Sequence, residues 1–146
     1  MAMFNSILVV CAGNICRSPT AEYILKDKLD DKLIEVASAG LTALVDKPAE
    51  ATALEIARQN GVDLTPHLGQ QLSSKLIAQY SLILVMEERH LMDIHSQYPE
   101  ARGKTFLLGK WIGDKDIPDP YRKSKEAFEH VYQLIEQACV AWTKYL

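Results

Sequence analysis

The residues most able to do chemistry together stand in "CAGNICRSP", Cys11 to Pro19. Cys11 and Arg17 are separated by five residues, and Ser18-Pro19 follows at once. A cysteine becomes a strong nucleophile as a thiolate, a form favoured by a nearby cation and a helix N-terminus. Arginine offers a planar fork that matches two phosphate oxygens. Gly13 and Asn14 tolerate unusual dihedrals, so successive N–H groups can turn inward as an anion nest. Ser18 suits a helix N-cap and Pro19 the first helical position, and the helix start adds partial positive charge. Such a loop would hold a phosphate dianion and place a sulfur in line with phosphorus. Late in the chain, "DIPDPY" offers Asp116 and Asp119 as proton donors for a poor leaving group. Spacing alone does not choose between them.

Other chemistries fit less well. A buried core cysteine would explain Cys11 but not the Gly, Asn, Arg and Ser-Pro that follow. Neither G-x-x-x-x-G-K-[ST] nor G-x-G-x-x-G occurs. Cys11 and Cys16 lack a second ligand pair, and His67, His90, His95 and His130 show no zinc spacing. No metal or organic cofactor is therefore expected, with Arg17 and the nest supplying the charge.

The elements around the loop read as one α/β domain spanning residues 1–146. Phe4–Val10 and Ser81–Met86 are apolar runs of the kind buried on both faces of a parallel sheet. Leu33–Gly40 and Lys104–Gly109 complete four strands. Helices are expected after the first loop, over residues 50–61 with Gly61 closing, over 73–80, over 87–97 and near the C-terminus. In the last, Phe128, Val131, Tyr132, Ile135, Cys139 and Trp142 share one face, so Cys139 is core. Alternating strands and helices imply a parallel, doubly wound sheet, with ligands beyond the strands' carboxyl ends. The turn after the first strand lies there.

The chain has 146 residues and a net charge of −3. It carries no global basic field for nucleic acid or an anionic membrane. No apolar run approaches the ~20 residues of a membrane span. The start "MAMFNS" lacks the features of a signal peptide. A cytoplasmic monomer without membrane insertion is expected. Three cysteines do not make a disulfide framework.

"VCAGNICRSP" resembles the active-site loop of the low-molecular-weight protein tyrosine phosphatases. The similarity continues through "SAG" at Ser38–Gly40, His67, "LILVMEE" at Leu82–Glu88 and "DPY" at Asp119–Tyr121. It is nearest the bacterial branch that serves tyrosine autokinases of capsule and exopolysaccharide export. The resemblance implies a three-layer sandwich whose four-stranded parallel sheet runs in the order 2-1-3-4. It implies hydrolysis of phosphotyrosine through a phosphocysteine, with a tyrosine-rich kinase tail as protein substrate. Cys11 would be the nucleophile and Asp119 the acid, with Pro120 holding Asp119 out of the helical region. Ala12, Gly13, Asn14, Ile15, Cys16, Arg17 and Ser18 would surround the phosphate. Ser18 would hydrogen-bond the sulfur, and Asn14, Ser38 and His67 would shape the loop.

The substrate walls are expected at Tyr121, Arg122, Leu41 and Leu44. Arg122 stands where many members carry a second aromatic, which suggests acidic residues around the substrate tyrosine. Gln70 stands where the family usually has Arg. Cys16 either packs under the helix or traps an oxidised Cys11 as a reversible disulfide, and the resemblance favours the second. A thioredoxin-coupled arsenate reductase shares this fold and loop, but "LVMEERHLMDIH" lacks the relay cysteines it needs. Cysteine-loop phosphocarriers lack the closing Arg and the Asp-Pro acid.

Overall fold

The computed structural model describes residues 4–146. Its strands are β1 (Ser6–Cys11), β2 (Glu35–Gly40), β3 (Leu82–Val85) and β4 (Thr105–Leu107). They form one parallel sheet in the order β2-β1-β3-β4. The helices are α1 (Arg17–Lys28), α2 (Ala51–Gln59), α3 (Ser74–Gln79), α4 (Glu88–Gln97) and α5 (Lys125–Thr143). Among the described residues no helix is long and apolar enough to cross a membrane.

The period of two along β1 splits the core. Ile7, Val9 and Cys11 face a cluster with Ile24, Leu25, Ile135, Cys139 and Trp142 of α1 and α5. Leu8 and Val10 face the opposite cluster, with Ile77 of α3 and Ile94 of α4. Helices thus cover both faces, which is why β1 and β3 read as unbroken apolar runs. Ile7, Leu8, Val9 and Val10 have no exposed surface. Each contributes about 1.5–3 kcal/mol on burial, so the strand beneath the loop is firmly anchored.

Two expectations need correction. The first helix begins at Arg17 with Cys16 as N-cap, and no side chain caps it. Ser18 is therefore its second residue and not the N-cap, because its hydroxyl is engaged by Cys11 and Asn14. Pro19 sits third, still within the first turn, where a missing N–H leaves no helical bond unmade. The fourth strand is shorter than Lys104–Gly109 at both ends. It is an edge strand paired only with β3, and a 3-10 turn starts at Lys110.

Candidate active site

Cys11 is the last residue of β1, central in the sheet and paired with Gly40. From there the chain turns through Ala12–Cys16 into α1. The loop's carbonyls are all bonded outward. Those of Cys11, Ala12 and Gly13 accept from the N–H groups of Leu41, Thr42 and Leu44 at 2.9–3.0 Å. The Asn14 carbonyl accepts from His67 Nε2 at 2.6 Å, and that of Ile15 from Glu50 N at 2.7 Å. The N–H groups of Ala12–Cys16 donate to no group among the described residues, and all five residues line the cavity. Asn14 makes the turn possible with a φ of 59°, in the left-handed region that Asn adopts more readily than most residues. Gly13 does not share this conformation, so its expected role in supplying an unusual dihedral is not realised. Gly40 is needed for close approach, since a Cβ there would lie 2.7 Å from the Ala12 carbonyl oxygen.

A hydrogen-bond chain runs to the sulfur. Glu22 accepts from the Ser38 hydroxyl at 2.5 Å and pairs with Lys26 at 2.7 Å. With its proton committed to Glu22, Ser38 must accept from Asn14 Nδ2, at 3.0 Å. The same amide nitrogen donates to Ser18 Oγ at 2.8 Å. Ser18 Oγ hydrogen-bonds Cys11 Sγ, 2.9 Å away, and its proton is available to a thiolate there. Gln70 belongs to this set despite replacing the family's Arg. Its N–H donates to Asn14 Oδ1 at 2.9 Å and its side-chain amide to the Ser38 carbonyl at 2.8 Å.

Arg17 is 2% exposed. Its Nη1 donates to Glu87 Oε2 at 2.6 Å and to the Ile117 carbonyl at 2.8 Å. Its Nη2 lies 3.8 Å from Asp119 Oδ2. One corner of the guanidinium is thus pinned from behind, and the rest of the fork serves the cavity. Burial alone would raise the Glu87 carboxyl, but hydrogen bonds from Arg89 and Arg17 outweigh it and hold the group below the usual carboxylate range. Glu87 is therefore ionised where Arg17 needs a counter-charge.

The two aspartates of "DIPDPY" are separated by geometry. Asp116 Oδ1 accepts from the first N–H of α4, on Glu88, at 2.9 Å, and Ile117 N donates to the Met86 carbonyl at 2.7 Å. These bonds fix the loop. Asp119 lines the cavity, and its Oδ1 accepts from Tyr121 N at 3.0 Å.

The cavity measures about 340 Å³ and is lined by Cys11–Arg17, Thr42, Leu44, Asp119 and Tyr121. Leu44 and Tyr121 are among its lining residues. Leu41 does not line it; that side chain packs against the opposite core cluster, and Thr42 takes the place. Arg122 also lies outside the lining, with a φ of 64° and its guanidinium 5.4 Å from the Tyr121 ring centre. It backs the aromatic wall and does not face the cavity. Ser18, Ser38 and His67 stand behind the loop. Cys16 lines the cavity but is 7% exposed. Burial pushes its thiol up, so it stays protonated.

Three participants were missed from sequence. Glu22, four residues before Lys26, reads as an ordinary surface helix pair. Thr42 stands in a loop whose neighbours gave no reason to prefer it over Leu41. Glu87 could have been found, because it lies two residues past β3, beyond the strands' carboxyl ends where such ligands gather.

The profile described as low molecular weight phosphotyrosine protein phosphatase matches residues 6–146. The chain is 50% identical over 143 residues to the low molecular weight protein-tyrosine-phosphatase Etp of Escherichia coli K12, covering 98% of this chain and 95% of Etp. Its structure is similar to that of Vibrio vulnificus Wzb in complex with benzylphosphonate, with a TM-score of 0.94 and 57% identity over 98% of this chain and 99% of that one. A more distant likeness is the YwlE arginine phosphatase of Geobacillus stearothermophilus, with a TM-score of 0.90 and 31% identity over 95% of this chain and 90% of that one.

Proposed function

The chain belongs to the low molecular weight phosphotyrosine protein phosphatase family, and we propose that its site hydrolyses phosphotyrosine through a phosphocysteine at Cys11. The convergence of Cys11, Arg17 and Asp119 on one cavity carries this proposal. The Cys11 sulfur attacks phosphorus and the P–O bond to tyrosine breaks. Asp119 gives its proton to the departing phenolic oxygen. As a carboxylate it then takes a proton from water, whose oxygen attacks phosphorus, and the S–P bond breaks to release phosphate. The loop N–H groups, the start of α1 and Arg17 stabilise the equatorial oxygens.

Asp119→Ala is expected to lower kcat/KM by about 10²–10⁴-fold on a poor leaving group such as phenyl phosphate, and much less on p-nitrophenyl phosphate. The comparison of kcat/KM, which reports leaving-group expulsion, across aryl phosphates of graded leaving-group acidity checks this. Equal losses across the series would remove Asp119 from the acid role.

The likeness to an arginine phosphatase raises phosphoarginine as a second substrate. Leu44 and Tyr121 are apolar walls suited to a flat phenyl ring, which favours phosphotyrosine. Steady-state hydrolysis of matched phosphotyrosine and phosphoarginine peptides decides between them.

The protein substrate we assign is the tyrosine-rich tail of a bacterial autokinase serving capsule or exopolysaccharide production, consistent with likeness to Wzb and Etp. Retention of such a kinase from lysate by the Cys11→Ser protein tests this, and retention only of unrelated phosphoproteins would contradict it.

Cys16 is assigned as the residue that captures a Cys11 sulfenic acid formed by peroxide, releasing water as the S–S bond forms. Peroxide-inactivated enzyme is expected to recover with a thiol reductant, and the Cys16→Ala enzyme to recover poorly. Equal recovery would leave Cys16 a packing residue.

A further inference from the structure

Behind Arg17 lies a histidine that the mechanism above does not use. His90 sits on the first turns of α4 and is 2% exposed. Neither Nδ1 nor Nε2 has a hydrogen-bond partner, although both atoms are buried. Buried imidazole nitrogens are rarely left so. Nε2 lies 3.6 Å from Glu87 Oε2, the same oxygen that accepts from Arg17 Nη1 at 2.6 Å. That is just beyond hydrogen-bond reach, so a small movement of either group would close it.

We propose that His90 is a positioning residue for Arg17, acting through the shared Glu87 oxygen, and that its protonation loosens the hold on the guanidinium. While neutral, His90 leaves Oε2 to Arg17. Once protonated, the imidazolium competes for that oxygen, and Arg17 keeps only the Ile117 carbonyl as a firm tether.

The charged groups around His90 set which form prevails. They are Arg17 from α1, Glu87 just before its own helix, and Arg89 and Asp93 on that helix. Burial, with Arg17 and Arg89 beside it, holds the imidazole below its ordinary value against the opposing pull of Glu87 and Asp93. The neutral form therefore prevails at neutral pH, and the switch lies on the acid side. A bound phosphate draws on an Arg17 held by Glu87, the arrangement that neutral His90 preserves, so phosphate binding should oppose protonation of His90. By linkage, the protonation state of His90 must alter phosphate affinity in return.

The inference rests on the reading of Arg17 as the phosphate fork. His90→Asn and His90→Gln cannot take up the proton. As pH falls from about 7 to about 5, wild-type kcat/KM for p-nitrophenyl phosphate should fall about threefold further than that of either variant. A variant-to-wild-type ratio constant with pH overturns the proposal. Should the variants fail to fold, wild-type His90 can be followed by NMR with and without inorganic phosphate. Titration at a lower pH with phosphate bound supports the coupling, and titration at the same or a higher pH overturns it. Absence of any wild-type turnover would instead be a failure of the phosphatase reading.

Discussion

Arg17→Ala is expected to lower kcat/KM for p-nitrophenyl phosphate by about 10³-fold or more, and Arg17→Lys to recover little of it. The guanidinium does two things that a point charge cannot. Nη1 is fixed by Glu87 and the Ile117 carbonyl, while Nη2 lies on the cavity side, 3.8 Å from Asp119. Lysine keeps the charge, but its single nitrogen cannot hold Glu87 and present two donors to a phosphate together. The substitution also leaves the Ile117 carbonyl without its donor, a cost of about 1–3 kcal/mol. Glu87 keeps Arg89 as a partner, so the fold should survive. Steady-state kinetics with a denaturant titration on the same protein separates the catalytic loss from the stability loss. A Lys variant within tenfold of wild type would mean that charge alone suffices at this position.

Cys11→Ser is expected to abolish catalytic turnover, with a loss of about 10⁴-fold or more, while keeping affinity for inorganic phosphate within about threefold. The phosphate contacts assigned above come from loop N–H groups, the start of α1 and Arg17, none of which the substitution removes. Ser18, Asn14 and Ser38 remain in place to support the loop. Only the attacking atom is lost, since a hydroxyl lacks the thiolate's nucleophilicity. Calorimetric phosphate binding beside an aryl phosphatase assay checks both halves. Loss of binding together with turnover would mean that the serine disturbs the nest.

The sequence carried the frame of this site and much of its chemistry. Apolar runs at Phe4–Val10 and Ser81–Met86 read as strands buried on both faces, and their alternation with helical segments implied the parallel sheet. Cys11 to Ser18 was legible because the loop is local: the cysteine, the turn, the arginine and the helix start follow one another along the chain. What stayed hidden was set by contacts across long separations. Glu87 meets Arg17 across 70 residues, and Asp116 caps α4 across 28. The choice between Leu41 and Thr42 depends on which way a loop residue points once it pairs with Ala12, and no pattern encodes that. Ser18 misled in an informative way. Its type suits an N-cap, but the nearby sulfur and the Asn14 amide engage its hydroxyl, and the helix starts two residues earlier than that would place it, at Arg17.

The central claim is a covalent bond between phosphorus and the sulfur of Cys11. Asp119→Ala combined with p-nitrophenyl phosphate should reveal it, because this leaving group departs without an acid while the water step still lacks its base. Rapid quenching during turnover, followed by mass spectrometry of the digest, reads where the phosphoryl group resides. The expected result is one phosphoryl group on the peptide carrying Cys11, removed on a chase without substrate. Continued turnover with no phosphoryl group on that peptide, or with one on another residue, would contradict the mechanism.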